Sequence, residues 1–247
     1  MKKLLNTLYI MTPGRYLSLD GENVVILENE AEVARFPLHN FESIVTSGYT
    51  GASPALMGAC AKRGISLTFL TSSGRFLARV TGEERGNVLL RRTQYRFSDD
   101  VVKSARIAGL FLTGKLYNGR WVLERAIRDY PMRLDTERLK RKSLLIRSAI
   151  ESVRHCTDLE QLRGIEGEAA KAYFSVFDDL ILQQKDDFYF TERSRRPPLD
   201  NVNALLSFTY TLLASSCASA LESVGLDPYV GFLHRDRPGR ASLAFDL

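Results

Sequence analysis

The chain has 247 residues and a mass of 27.8 kDa, with 45% hydrophobic, 26% charged and 10% aromatic residues. These proportions exclude wholesale disorder and fibrous repeats, and the length allows one large domain or two smaller ones, each with a sizeable core. Thirty-four Lys and Arg against 29 Asp and Glu leave a net charge of +5 and a pI near 9.1, a balance that permits a polyanionic partner without demanding one.

Residues 1–85 read as β. Short β-branched or aromatic runs alternate with turn residues: Leu5–Met11, Tyr16–Leu19, Val24–Leu27, Val33–Phe36, Ser43–Thr46, Ser66–Leu70 and Phe76–Val80. Asp20-Gly21 between the second and third runs is a hairpin signal. One helix interrupts the strands, with Ser53 as N-cap, Pro54 at the first helical position and Gly64 as its stop. The polar stretch Thr81–Asn87 has no apolar period and is taken as the domain boundary.

Residues 86–247 read as α. Helices are expected over Asp99–Asp129, Thr136–Arg154, Asp158–Leu182 and Asn201–Val224, the third capped by Asp158 with Gln161 three residues on. Pro197-Pro198 separates the third from the fourth. The fold class expected is therefore α+β, an N-terminal β domain with one helix followed by an all-α catalytic domain. Charge divides as +1 over residues 1–86 (nine basic, eight acidic) and +4 over the rest, which favours the helical part as any polyanion surface.

Three cysteines without a C-x-x-C pair suit a reducing compartment, and Cys60, Cys156 and Cys217 read as small buried hydrophobes. Met1-Lys2-Lys3 resembles the start of a signal peptide, but the polar Asn6 and Thr7 and the early Pro13-Gly14 argue against one. The 21 residues Asn201–Leu221 could span a bilayer by length, yet nine of them are Asn, Ser, Thr or Tyr, so a buried helix of a soluble domain is expected. No membrane contact is expected, and the protein reads as cytoplasmic.

Glu166 lies in Leu162-Arg163-Gly164-Ile165-Glu166-Gly167. On a helix, Leu162, Ile165, Ala169, Ala172, Tyr173 and Val176 form the buried face, and Glu166 sits at its edge. The flanking glycines each cost about 1 kcal/mol against alanine, so close backbone approach is expected there. The alternative is a surface glutamate in a weak helix.

His234 lies among Arg235, Arg237 and Arg240, with Asp246 twelve residues on. Imidazole and carboxylates suit a divalent ion, and the arginines suit phosphates around it. The alternative is a loop histidine stacked on Phe232. His39 and His155 read as structural. Of the basic stretches, Arg91-Arg92, Arg138–Lys142 and Arg193–Arg196, the last is the best candidate for a phosphate backbone. It is a loop with Tyr189 and Phe190 just upstream, and aromatics beside arginines can stack exposed bases. There is no G-x-S-x-G, Walker A or G-x-G-x-x-G motif.

Three ordered blocks, LRGIEGEAAKAYF, RRPPLDNVNALLSFTYTLL and GLDPYVGFLHRDRPGRASLAFDL, together with SLDGENVVIL and GASPALMGACAKRGISLTFL, resemble the CRISPR-associated adaptation integrase. That family is the larger of the two proteins that insert new spacers into a CRISPR array. NVLLRRTQYR is most similar to the version that accompanies type I-C systems. The resemblance spans nearly the whole chain.

The resemblance implies a homodimer that pairs with a small ferredoxin-like partner and holds duplex DNA with free 3′-hydroxyl ends for joining to CRISPR repeat DNA. It implies Glu166 and His234 as ligands of Mn²⁺ or Mg²⁺, and Asp246 as a nearby carboxylate that binds or orients the ion. Arg195, Arg196, Arg237 and Arg240 are the candidates for phosphate contacts. The family's last ligand normally follows the match to Asp246 by three residues, which would be position 249, whereas the sequence ends at Leu247. A weak, poorly oriented metal site and an incomplete chain are the expectation. Three other readings stand beside the integrase: a general metal-dependent nuclease, a catalytically silent DNA-binding scaffold, and a helical protein–protein adaptor using the Asn201–Leu221 helix.

Overall fold

The computed structural model describes residues 6–82, 88–235 and 237–247. Its contacts divide the chain into two compact units, Met1–Asn87 with Tyr210–Gly225, and Val88–Thr209 with Leu226–Leu247. The expected boundary at Thr81–Asn87 falls largely on residues 83–87, which lie outside the described residues.

The first unit holds two four-stranded sheets. Strands β1 (Thr7–Ile10), β5 (Ser43–Ser47), β7 (Ser66–Leu70) and β8 (Phe76–Val80) form one, in the order β1-β5-β7-β8. The first three are parallel and β8 is antiparallel to β7. The second sheet has the order β4-β3-β2-β6, from β2 (Arg15–Asp20), β3 (Asn23–Glu28), β4 (Ala31–Pro37) and β6 (Gly51–Ala52). Gly21, at φ 57°, turns the chain between β2 and β3, a conformation that glycine adopts without the Cβ penalty.

Helix α1 (Pro54–Arg63) begins where the Ser53 side chain accepts from the Leu56 amide and stops at Gly64, φ 67°. It packs against β2 and β7, and Leu17, Val24, Leu38, Ile44, Leu56 and Leu67 are fully buried in the shared core.

The second unit is helical: α2 (Val88–Ser98), α3 (Val101–Asp129), α4 (Thr136–His155), α5 (Leu159–Phe174), the first part of α6 (Asn201–Ser223) and the short α7 (Ser242–Asp246). The strand-rich part followed by the helical part is the α+β class expected. Asp100, Asp135 and Asp158 cap α3, α4 and α5 through their side chains. Leu112, Leu123, Leu139, Ile146 and Leu162 fill the core between these three helices.

Three expectations are corrected. The span Asp99–Asp129 is preceded by a further helix, α2, because Asp100 caps a new helix at Val101 and does not continue the old one. Helix α5 ends at Phe174 and not at Leu182; a 3₁₀ turn at Asp178–Leu180 follows, wrapped by the rings of Phe174, Phe177 and Phe190. Helix α6 is not the buried helix expected. It is long and apolar enough to cross a membrane by length and composition, with a mean hydropathy of 1.4 and 11% of that window buried. Its residues are divided between the two units, and Val202, Asn203, Ala218 and Leu221 are its buried positions. Its C-terminal part is held to the first unit by Ser66 Oγ–Ser219 Oγ at 3.0 Å and by Arg79, which donates to Ser215 O at 3.2 Å and Glu222 Oε1 at 2.5 Å.

Candidate active site

The segment Leu226–Leu247 has little regular structure, and buried polar side chains position it. Gln94, buried on α2, donates to the carbonyls of Asp227 (2.7 Å) and Val230 (3.0 Å) and accepts from the Asp227 amide (2.8 Å). Tyr95 Oη donates to Asp227 Oδ2 at 2.9 Å. These four bonds come from two neighbouring side chains of α2, and a satisfied polar network of this kind rigidifies the segment it holds. Leu233 then enters the helical core, where it is 1% exposed.

Asp246 is the centre of the segment. Its side chain is fully buried, and Oδ2 accepts from the amides of Phe232 (2.6 Å) and Leu233 (3.0 Å). Oδ1 accepts from the His234 amide at 3.0 Å and lies 2.6 Å from His234 Nδ1. A carboxylate on Nδ1 favours the tautomer with its proton there, which leaves a lone pair on Nε2. Gly231 is required by the same packing, since a Cβ there would lie 2.8 Å from Ser242 Cβ and 3.0 Å from Asp246 Oδ2. His234 is therefore held by Asp246, and Phe232, on which the alternative would stack the ring, pairs with Phe111.

Helix α5, which carries Glu166, meets this segment through Arg163 and Glu160. Arg163, one turn earlier, donates Nε to Leu233 O at 2.7 Å, and Glu160 bridges Arg163 and Arg235. Glu166 itself is paired with Lys115 of α3; the side chains are 19% and 51% exposed. Lys115 was invisible in the sequence pattern, because it lies 51 positions from its partner. The close backbone approach expected at Gly164 and Gly167 is absent: a Cβ at either would meet nothing within 4 Å.

The arginines separate into two kinds. Arg195, Arg196 and Arg237 are exposed, and Arg240 is half-buried with its guanidinium 5.5 Å above the Phe245 ring. Asp236 lies outside the described residues. Arg193 is structural: it donates to Ser194 O (2.6 Å) and to Asn203 Oδ1 (2.7 Å). Asn203, fully buried, also accepts from the Ser194 amide and donates to Glu192 O at 2.8 Å. Phe190 is 4% exposed within the aromatic cluster, so only Tyr189 of that pair could meet a base. In the basic run of α4, Arg138 is occupied by Ser175 O at 2.7 Å and Asp179 at 3.2 Å. Among the cysteines only Cys60 is buried, which pushes its thiol up to about 11; Cys156 and Cys217 are half-exposed.

The donor set is a carboxylate carrying a cation and an imidazole with one nitrogen anchored. Among the described residues no group of three or more His, Cys, Asp or Glu could enclose a metal ion. Asp246 has both oxygens engaged by amides and imidazole, so what it holds in this structure is His234. A carboxylate and an imidazole nitrogen are donors of the type an open Mg²⁺ or Mn²⁺ site would use, with its remaining positions left to water and phosphate oxygens.

The model of the family "CRISPR associated protein Cas1" matches residues 8–247. The chain is 53% identical over 247 residues to CRISPR-associated endonuclease Cas1 1 of Chlorobaculum tepidum, covering all of this chain and 72% of that one. Among solved structures it is similar to a casposase bound to integration product, with a TM-score of 0.78 and 24% identity over 98% of this chain and 68% of that one. It is also similar to a chain of a Cas6-RT-Cas1–Cas2 complex, with a TM-score of 0.73 and 24% identity over 97% of this chain and 26% of that one. The chain belongs to the family of CRISPR-associated protein Cas1.

Proposed function

We propose that this chain is an integrase and endonuclease of CRISPR adaptation that inserts captured duplex DNA into a CRISPR array with the help of a divalent ion. The observation that carries the reading is the Asp246–His234 pair, together with the arginine that ties its segment to the helix of Glu166. Family membership, the endonuclease name of the 53% identical relative and the fold shared with a casposase support it.

The reaction is a transesterification. The 3′-hydroxyl oxygen of the fragment attacks a phosphorus at the repeat boundary, a new P–O bond forms, and the old P–O3′ bond breaks. The hydroxyl proton is lost to solvent and the departing 3′-oxygen gains one, so no phosphodiester is consumed. Mg²⁺ or Mn²⁺, when bound, lowers the hydroxyl pKa and offsets charge on the phosphate. Glu166 and His234 Nε2 would hold it; Asp246 keeps the imidazole oriented, and Arg163 keeps the two ligand-bearing segments together. Arg195, Arg196, Arg237 and Arg240 would contact phosphates.

The partners follow the same reading. A protein partner in adaptation is supported by the likeness to a chain solved in complex with Cas2. We infer a homodimer, a small ferredoxin-like partner, and DNA ends with free 3′-hydroxyls. The test is a joining assay with Mn²⁺, a short 3′-hydroxyl duplex and a repeat-containing plasmid. Glu166→Ala joining at the wild-type rate would remove the metal-ligand assignment, and cleaved but unjoined plasmid would favour the nuclease. The lack of a three-donor cluster among the described residues favours one rival, a silent DNA-binding scaffold. That reading predicts DNA binding that weakens steeply with salt and needs no metal.

A further inference from the structure

The pair Lys115–Glu166 has no role in the account so far. It links α3 to α5, and each side chain is the other's sole hydrogen-bond and ion-pair partner among the described residues. Arg163, on the same helix as Glu166, grips a backbone carbonyl and so has a structural function. Lys115 grips nothing else. It is half-exposed, on a flexible stem that ends in a compact charge. It can therefore leave Glu166 without loosening the fold.

We propose that Lys115 is a further substrate-contacting residue of this site, which neutralises Glu166 in the free protein and passes to a DNA phosphate when a divalent ion takes the carboxylate. The inference rests on the reading of Glu166 as a metal ligand. Two cations compete for one carboxylate, so the ammonium weakens ion binding as long as it has nowhere else to go. A DNA phosphate nearby gives it a second anion. Ion and DNA then favour each other's binding, and by linkage the coupling is the same in both directions. The consequence is a site that loads its ion in the presence of DNA and resists doing so without it.

Mn²⁺ titration followed by electron paramagnetic resonance tests this, with and without a 3′-hydroxyl duplex, on wild type, Lys115→Met, Lys115→Arg and Glu166→Ala. Lys115→Met should bind Mn²⁺ roughly fivefold more tightly than wild type in the absence of DNA, the scale of losing one partly exposed ion pair. Adding duplex should raise its Mn²⁺ affinity less than it raises that of wild type, and its joining rate should fall. Lys115→Arg, which keeps the charge, should restore the coupling. If Glu166→Ala abolishes Mn²⁺ binding while Lys115→Met matches wild type with and without DNA, the role of Lys115 is overturned alone. If Glu166→Ala binds Mn²⁺ like wild type, the metal reading of the site is overturned first.

Discussion

Asp246 Oδ1 lies 2.6 Å from the Nδ1 of His234 and 3.0 Å from the amide nitrogen of the same residue. One buried carboxylate thus fixes both the main chain and the ring of His234. Asp246→Asn keeps the size and one accepting oxygen but places an NH₂ group against amide donors. Partners of this kind affect metal affinity or activity by about 10- to 100-fold. Joining and Mn²⁺ affinity should both fall within that range, as measured by plasmid joining and Mn²⁺ titration.

Gly164 and Gly167 flank Glu166 on α5 with open space where a Cβ would sit and without positive φ. Gly164→Ala and Gly167→Ala should each stabilise the protein by about 0.5–1 kcal/mol. Urea unfolding measures this directly, and a loss of stability in either variant would show a crowding that the structure lacks.

The arginines of the Arg193–Arg196 loop should divide by assay. Arg195→Ala and Arg196→Ala should weaken duplex binding, each reducing the salt slope by about 1, with Tm unchanged. Arg193→Ala leaves the buried Asn203 and its neighbours short of a donor and should lower stability by about 1–3 kcal/mol. Thermal melts and binding isotherms at several salt concentrations separate the two classes.

Burial pushes the Asp178 carboxyl up, but the Lys185 ammonium at 2.6 Å and the Phe190 amide at 2.8 Å outweigh it and hold the carboxyl below its ordinary value. A depressed folded-state pKa means stability that is present above the unfolded value of about 3.9 and lost as pH falls through the folded one. Asp178→Asn should therefore melt below wild type at pH 7, and the gap should close as the pH is taken below about 4.

Much of the fold was legible because its signals are local. Ser53-Pro54 and Gly64 bound α1 without reference to anything distant, and the runs Ser66–Leu70 and Phe76–Val80 are the strands themselves. Helix α5 is shorter than its apolar spacing suggests, because that spacing continues to the buried Val176 through turns in which the Val176 and Phe177 amides donate to the carbonyls of Tyr173 and Phe174, three residues back. Helix α2 was obscured because its buried residue is Gln94, a polar side chain that no hydrophobic period reveals.

At the site, the likeness to a known family singles out Glu166 and His234, where spacing alone leaves alternatives. The bonds of Asp246 run to main-chain amides, and Lys115 meets Glu166 from another helix. Neither relation has a sequence signature.

The most direct test is the joining assay itself, with Mn²⁺, a 3′-hydroxyl duplex, a supercoiled repeat-containing plasmid and the small partner. Wild type is compared with Glu166→Ala and His234→Ala, and DNA retention and Tm are measured alongside. The account predicts joined product from wild type and none from either variant, with binding and folding preserved. Equal joining by all three proteins, or DNA binding by wild type that yields no product with or without metal, would contradict it.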